Sequence, residues 1–404
     1  MSAPERFILA GVYTENAQIS AEDSLGELEE LTETLGARAV GRITQSLTKP
    51  HPAHYLGKGK LAELKELIER EEADGVICDD ELSSAQYRNM EEALGAKVID
   101  RTVVILEIFA RNARSAEGIA QTELAQLQYR LSRLSGRGAA LSRLGGGIGT
   151  RGPGETKLET DRRRIREKLA SLKERLGEIA ENRAVLRGKR ERAGETVFSL
   201  AGYTNAGKST LMNLLTGAGA DARDALFATL GTTTRRFELP SGGGALLTDT
   251  VGFIRKLPHH LIKAFSATLE ELRWADVLIH VADLSSPVME AQAEVVRQTL
   301  DRLGLGGKPV ITVYNKVDLK RTGEPVRGLE ISAKTGQGRE TLLEAMEAEA
   351  RKLRRLVTAL IPYDAGALLN AVHIRGEIVS EEFREDGVMI TAHLPADLAA
   401  WVAK

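Results

Sequence analysis

One cysteine, Cys78, is all that this chain of 404 residues contains, which excludes a disulfide framework or a cysteine-based zinc centre within one chain. Cys78 sits in the apolar run Gly75 to Cys78 and is expected to be a small buried hydrophobe, not a nucleophile. The formal net charge is only −2, so no global field for nucleic acid exists. No run of about 18 apolar residues occurs. The start, MSAPERFILAG, has no charged region leading into a long apolar stretch, and a cytosolic protein is expected. His373 and His393 stand too isolated to read as metal ligands, because a site needs several convergent donors.

What is present allows real cores: 42% of the residues are hydrophobic, and the length suits two to four domains. An α/β fold is expected, with boundaries at residues 1–100, 101–193, 194–356 and 357–404. In the first region, apolar runs (Phe7 to Val12, Ala37 to Ile43, Val76 to Cys78, Val98 to Ile99) alternate with helical patterns (Ser24 to Leu35, Lys60 to Glu72). That alternation predicts an N-terminal α/β domain with a mostly parallel sheet. Within it, Tyr55 to Lys60 (YLGKGK) imitates a phosphate loop but lacks its spacing and the following Ser or Thr, so a helix-entry turn is expected. The second region reads as a long helical hairpin. Leu124, Leu127, Leu131 and Leu134 on one arm, and Ile165, Leu169, Leu172, Leu176 and Ile179 on the other, recur at helical spacings.

Between the arms, Gly136 to Gly154 is rich in glycine and carries Arg137, Arg143 and Arg151. From Arg130 to Arg192 there are 18 Lys and Arg against 8 Asp and Glu, a local excess of +10 that makes a polyanion partner plausible. A single charge run such as Arg162 to Arg164 is ordinarily a solvated helix face. A glycine tip between positive helices favours RNA, since Arg pairs with phosphates and stacks on unpaired bases. Tyr129 is the exceptional aromatic there, so backbone and shape recognition is expected over base stacking. The tail, with Gly366 to Ile374 helical and strands at Ile378 to Glu382 and Gly387 to Leu394, reads as a small α+β module.

The third region carries five ordered strings. Gly202, Tyr203, Thr204, Asn205, Ala206, Gly207, Lys208, Ser209 and Thr210 form a G-x-x-x-x-G-K-[ST] loop and the start of the helix after it. They follow the strand-like run Thr196 to Ala201 and lead into the helical run Thr210 to Leu215. Backbone N–H groups and a helix N-terminus must converge on phosphates, and this context provides both. Lys208 is expected to neutralise the β- and γ-phosphates, and the Ser209 hydroxyl to ligate magnesium. Asp249, Thr250, Val251 and Gly252 end an apolar run; Asp249 is a second magnesium ligand, direct or through water, and Gly252 offers its N–H to the γ-phosphate. In the string Asn315, Lys316, Val317 and Asp318, the carboxylate of Asp318 can accept two hydrogen bonds from guanine N1 and N2, a donor pair that adenine lacks. Asn315 and Lys316 brace the loop and cover the base, and Ser332, Ala333 and Lys334 line its other side. Together these strings predict GTP as the nucleotide.

The ordered set resembles the translation-factor class of GTPases. With GYTNAGKSTL, LFATL, DTVGFI and the upstream GGGIGTRGPGETKLETDRR, together with YLGKGKL and GEIVSEEF, nearly the whole chain resembles the HflX family of the Obg and HflX group. The resemblance implies a GTPase that docks on the large ribosomal subunit when GTP is bound, is stimulated by the ribosome, and splits stalled or idle ribosomes under stress, with the hairpin inserted into ribosomal RNA. Large-subunit assembly is the first alternative, and an RNA-remodelling NTPase that uses the N-terminal domain as an extra site is the second. In the first switch, Phe227, Ala228, Thr229 and Leu230 match the family motif, so Thr229 is expected as a magnesium ligand. Gly231 and Thr232 replace the family's usual Asp-Pro, which leaves Thr233 as a competitor. Phe253 stands where many GTPases of the class carry a water-orienting glutamine, so slow intrinsic hydrolysis is expected. Asn205 matches the asparagine that accompanies potassium stimulation in related GTPases; a loop-bracing hydrogen bond is the alternative.

Overall fold

Short apolar strands alternating with amphipathic helices build two α/β sheets in this chain. The computed structural model describes residues 3–14, 19–141, 153–193, 195–217, 226–227, 231–258, 261, 266–319 and 328–402. The chain divides into two compact units. One holds Met1–Ala180, Ala225–Gly231 and Ile254–Ala267; the other holds Glu181–Asp224, Thr232–Phe253 and Thr268–Lys404.

The first unit contains β1 (Arg6–Tyr13), α1 (Ala21–Thr34), β2 (Arg38–Ser46), α2 (Lys58–Arg70), β3 (Gly75–Cys78), α3 (Ser84–Leu94) and β4 (Lys97–Asp100). The strands pair in parallel in the order β2-β1-β3-β4. A parallel sheet covered on both faces needs uninterrupted apolar strands, and Phe7 through Ala10, with Val76, Ile77 and Cys78, are fully buried. Cys78 is thus the buried hydrophobe that its neighbours suggested. Local signals set the helix ends. Ser20 caps α1 through Asp23 N, and α3 opens on a Ser83–Gln86 capping box and closes on left-handed Gly95. YLGKGK is a helix entry, with Gly57 as the N-cap of α2.

Three further helices follow: α4 (Arg101–Asn112), α5 (Ala116–Leu141) and α6 (Pro153–Ala193). Arg162 donates to the Leu134 carbonyl at 3.0 Å and Lys168 pairs with Glu123. Rising numbers on α6 thus meet falling numbers on α5, the antiparallel arrangement that the leucine stripes suggested. Leu124, Leu127, Leu169 and Leu172 are the buried members of those stripes. Tyr129 is buried and bonds both oxygens of Asp100 at 3.0 Å, so it is a packing group and not an exposed base platform.

The second unit holds β5 (Thr196–Gly202), α7 (Lys208–Thr216), β6 (Thr233–Glu238), β7 (Gly244–Asp249), β8 (Val277–Asp283), α9 (Met289–Arg302), β9 (Val310–Asn315), β10 (Leu329–Glu330) and α10 (Arg339–Lys352); α8 (Ser266–Trp274) precedes β8. The sheet order is β10-β9-β8-β5-β7-β6, parallel except for β6 against β7. Phe198, Leu200, Leu211, Leu247, Ile279, Val313 and Leu342 form its core. The same unit ends in β11 (Arg355–Ile361), α11 (Gly366–Arg375), β12 (Glu377–Arg384), β13 (Gly387–Leu394) and α12 (Ala396–Val402), an antiparallel β11-β13-β12 module. Strand β11 was not among the expected strands, and residues 356 and 357, the expected junction, lie inside it. Among the described residues, no helix is long and apolar enough to cross a membrane.

Candidate nucleotide site

Strand β5 ends at Gly202 and α7 starts at Lys208, so the sequence pattern is folded as a strand, a tight turn and a helix. Two of its glycines are required by geometry. Gly207 has φ +90°, and a Cβ there would lie 2.2 Å from Asn315 Nδ2. A Cβ on Gly202 would lie 2.4 Å from the Val281 carbonyl oxygen. Asn205 is also left-handed, at φ +61°, a conformation that asparagine tolerates better than most residues. The turn therefore presents its backbone toward the start of α7, where the helix dipole favours an anion.

Lys208 is buried, and its Nζ donates to the carbonyls of Gly202 (3.2 Å) and Tyr203 (2.8 Å). Burial lowers its pKa to about 8, with the charge of Asp249 partly opposing. The Ser209 hydroxyl donates to Asp249 Oδ2 at 2.7 Å. A hydroxyl and a carboxylate brought together are hard oxygen donors, and this donor set fits magnesium. Gly252 lies against the same lysine: a Cβ there would be 2.7 Å from Thr204 Cα and 2.9 Å from Lys208 Nζ. Phe253 N donates to the Gly202 carbonyl at 3.0 Å, and Thr204 N donates to the Phe253 carbonyl at 2.7 Å. The Phe253 ring is 3% exposed, so this side chain is a packing group. Thr250 bonds the Leu200 carbonyl at 2.8 Å and, like Val251, is buried.

Asn315 ties the other strings to the loop. Its Nδ2 donates to the Ala206 carbonyl at 2.8 Å, and its Oδ1 accepts from Ala333 N at 2.9 Å. Ser332 Oγ accepts from Thr335 N at 3.1 Å. Lys316, at φ +65°, is anchored by an ion pair to Asp283 at 2.8 Å. Asp318 lies exposed in the short helical turn Val317–Leu319, and Lys334 is exposed nearby in sequence to the buried Ser332 and Ala333. Sequence reading missed Asp283; its only signal is its place at the end of an apolar strand. It also missed His280 on β8, whose pKa burial and then the charge of Lys208 lower to about 4. No motif marks that residue.

The first-switch residues divide. Phe227 is buried in the first unit, edge-on to Phe109 at 4.6 Å, with its carbonyl bonded by Asn112 Nδ2 at 2.8 Å. Gly231 is a bend. Ala228, Thr229 and Leu230 lie outside the described residues, whereas Thr233 is the β6 partner of Asp249. Arg143 and Arg151 also lie outside them; Arg137 belongs to α5, but its side chain is not described.

Comparison with known proteins gives a consistent assignment. Residues 22–110 match the family described as GTP-binding GTPase N-terminal, residues 112–190 the GTP-binding GTPase Middle Region, and residues 197–316 the 50S ribosome-binding GTPase. The chain is 49% identical over 397 residues to a protein named GTPase HflX from Caldanaerobacter subterraneus subsp. tengcongensis, covering 98% of this chain and 92% of that one. It is 48% identical over 405 residues to the GTPase HflX of Lacrimispora saccharolytica, covering 99% and 96%. To the GTPase HflX of Escherichia coli it is 39% identical over 403 residues, covering 97% and 94%. A GTP-binding protein from Sulfolobus solfataricus, solved in complex with GDP, matches with a TM-score of 0.42 at 23% identity over 86% of this chain and 99% of that one.

Proposed function

We propose, from the premise that this chain belongs to the HflX family of GTPases, that it splits stalled or idle ribosomes into subunits in the cytoplasm and that the large subunit stimulates its GTP hydrolysis. The chain is a GTPase with a domain of the ribosome-binding type. The observation that carries the ribosomal reading further is the basic pair of antiparallel helices, α5 and α6, in a chain that is otherwise acidic. In this reading residues 101–193 are the ribosomal RNA contact, with Arg137, Arg143 and Arg151 at the tip. Residues 1–100, 194–356 and 357–404 serve as N-terminal, GTPase and C-terminal domains.

Each site residue has a role in that reading. Lys208 neutralises the β- and γ-phosphates, and the turn from Gly202 to Gly207 supplies backbone donors. Ser209 and Asp249, with Thr229 once GTP orders the switch, hold magnesium, which screens the phosphate charge. Gly252 N–H bonds the γ-phosphate, Asp318 reads guanine, and Asn315, Lys316, Ser332, Ala333 and Lys334 frame the base. In the same reading Asn205 offers its side-chain oxygen to potassium. Phe253 is buried where many GTPases of the class carry the water-orienting glutamine, so a partner or backbone groups position the attacking water.

The test is GTP hydrolysis in potassium buffer with and without large subunits, alongside sedimentation of intact ribosomes. Stimulation with loss of intact ribosomes is the expected result. Stimulation without splitting selects large-subunit assembly instead, and no stimulation assigns the basic helices another partner.

A further inference from the structure

Beyond Gly252 the chain is held by charge. It passes from the second unit to the first between Phe253 and Ile254, and the next two residues both ion-pair there. Lys256 Nζ lies 2.6 Å from Asp79 Oδ2 and 2.8 Å from Asp80 Oδ1. Arg255 Nε donates to Glu27 Oε2 at 3.1 Å. Arg101, itself fully buried, bridges the same carboxylates, reaching Asp79 Oδ1 at 2.7 Å and pairing with Glu27. Asp79 also accepts from Tyr13 at 2.8 Å and Ser24 at 2.7 Å, and Asp80 accepts from Tyr55 at 2.6 Å.

Three carboxylates here face three cations. Loss of Arg255 and Lys256 would take two cations from Glu27, Asp79 and Asp80, although Asp79 is 0% exposed and Glu27 10%. A buried charge that loses its partner is costly, so this group opposes departure of the segment. The ion pairs hold Lys256 at φ +53°, a backbone conformation that costs energy at a non-glycine residue and is relaxed when the segment leaves.

Movement there matters because of what lies just upstream. Gly252 lies against the Lys208 ammonium and Phe253 is bonded to Gly202 and Thr204, so a γ-phosphate seated between Gly252 and the lysine requires the two to part. In this reading a triphosphate needs the segment after Asp249 to shift, whereas a diphosphate does not reach it. We propose that Glu27, Asp79 and Asp80 form a catch that closes the segment following Gly252 through Arg255 and Lys256, so that its release is required for GTP but not for GDP. These five are positioning residues, and their role rests on the GTPase assignment.

The experiment measures the affinities of the full chain for GDP and for a non-hydrolysable GTP analogue in the wild type, in Arg255→Gln with Lys256→Gln, and in a charge-retaining swap that joins Arg255→Lys to Lys256→Arg. Loss of the catch should tighten the analogue by roughly fivefold or more, the usual scale of a coupling between sites, and leave GDP within twofold. The swap should return the ratio toward the wild type. Equal changes for both nucleotides, an unchanged ratio, or a swap that behaves like the double loss would overturn the catch. A wild type that binds neither nucleotide would overturn the GTPase assignment and the catch with it; GDP binding with an unmoved ratio would remove the catch alone.

Discussion

The turn at Gly57 and the turn at Gly207 each carry a glycine and a lysine into a helix beside a parallel sheet, yet their backbones differ. Gly57 is extended, at φ −67° and ψ 157°, and its N–H donates to Gln45 Oε1 at 2.8 Å. Gly207 is left-handed, at φ +90° and ψ 24°. The first turn already has a protein partner for the donor that an anion would use. In the second, the lysine ammonium is buried against backbone carbonyls, where a phosphate would be the stronger acceptor. The carboxylates divide in the same way. Asp79 and Asp100 are neutralised within the first unit by Arg101, Lys256 and Arg133, whereas Asp249 stands with a serine hydroxyl, a pair suited to a metal ion. A glycine and a lysine before a helix therefore make a phosphate site only where the backbone donors are left for the ligand.

Removing the lysine breaks this contrast most strongly. Lys208→Ala should lower GTP hydrolysis by about 10²–10³-fold, the scale for losing a group that stabilises developing charge. Lys58→Ala and Lys60→Ala in the imitation turn should leave it unchanged, as a steady-state phosphate-release assay would report. Next in size is the base. Asp318→Ala removes two hydrogen bonds to a charged acceptor and should weaken GTP by about 10²-fold, with ATP competing equally well afterwards in a displacement assay.

Alanine at the two glycines sharpens the comparison through stability. Gly207→Ala meets both a positive φ and Asn315, and should destabilise by about 1–3 kcal/mol. Gly57→Ala meets only the flexible end of Gln45 at 3.0 Å and should stay within about 0.5 kcal/mol; denaturant unfolding of both variants checks the pair. The smallest effect is in pH. With the Lys208 pKa near 8 in the nucleotide-free chain and raised by bound phosphate, GTP binding takes up a proton, and affinity should fall by up to about tenfold between pH 7 and pH 9. Calorimetry at pH 8.5 in buffers of different ionisation heat should detect that uptake. In the same free chain, the unfolded state holds this proton more tightly, so the lysine's contribution to stability rises as pH climbs from about 8 toward 10.5.

The phosphate loop and the Asp249 string were legible in the sequence because they depend on local chemistry: a glycine where φ is positive, a lysine at a helix start, a carboxylate at a strand end. The parallel sheets were legible for the same reason, through continuous apolar runs such as Phe7 to Val12. Strand β11 escaped because Arg355–Ile361 is only partly buried, and its strand character comes from pairing with β13. Asp283 and His280 escaped because their importance comes from Lys316 and Lys208, neither of which is adjacent in sequence.

By itself the sequence determined the two α/β sheets and the helix pair, which follow from backbone preference and apolar periodicity over short stretches, while the resemblance of its motif strings pointed to the family and with it to the nucleotide class. Only the tertiary structure decided which donors and charges were already satisfied: Gly57 N–H by Gln45, and Asp79 by Lys256, 177 residues away in the chain. Compensation of a buried charge depends on distance in space and on the exclusion of water, and neither is written in any local pattern.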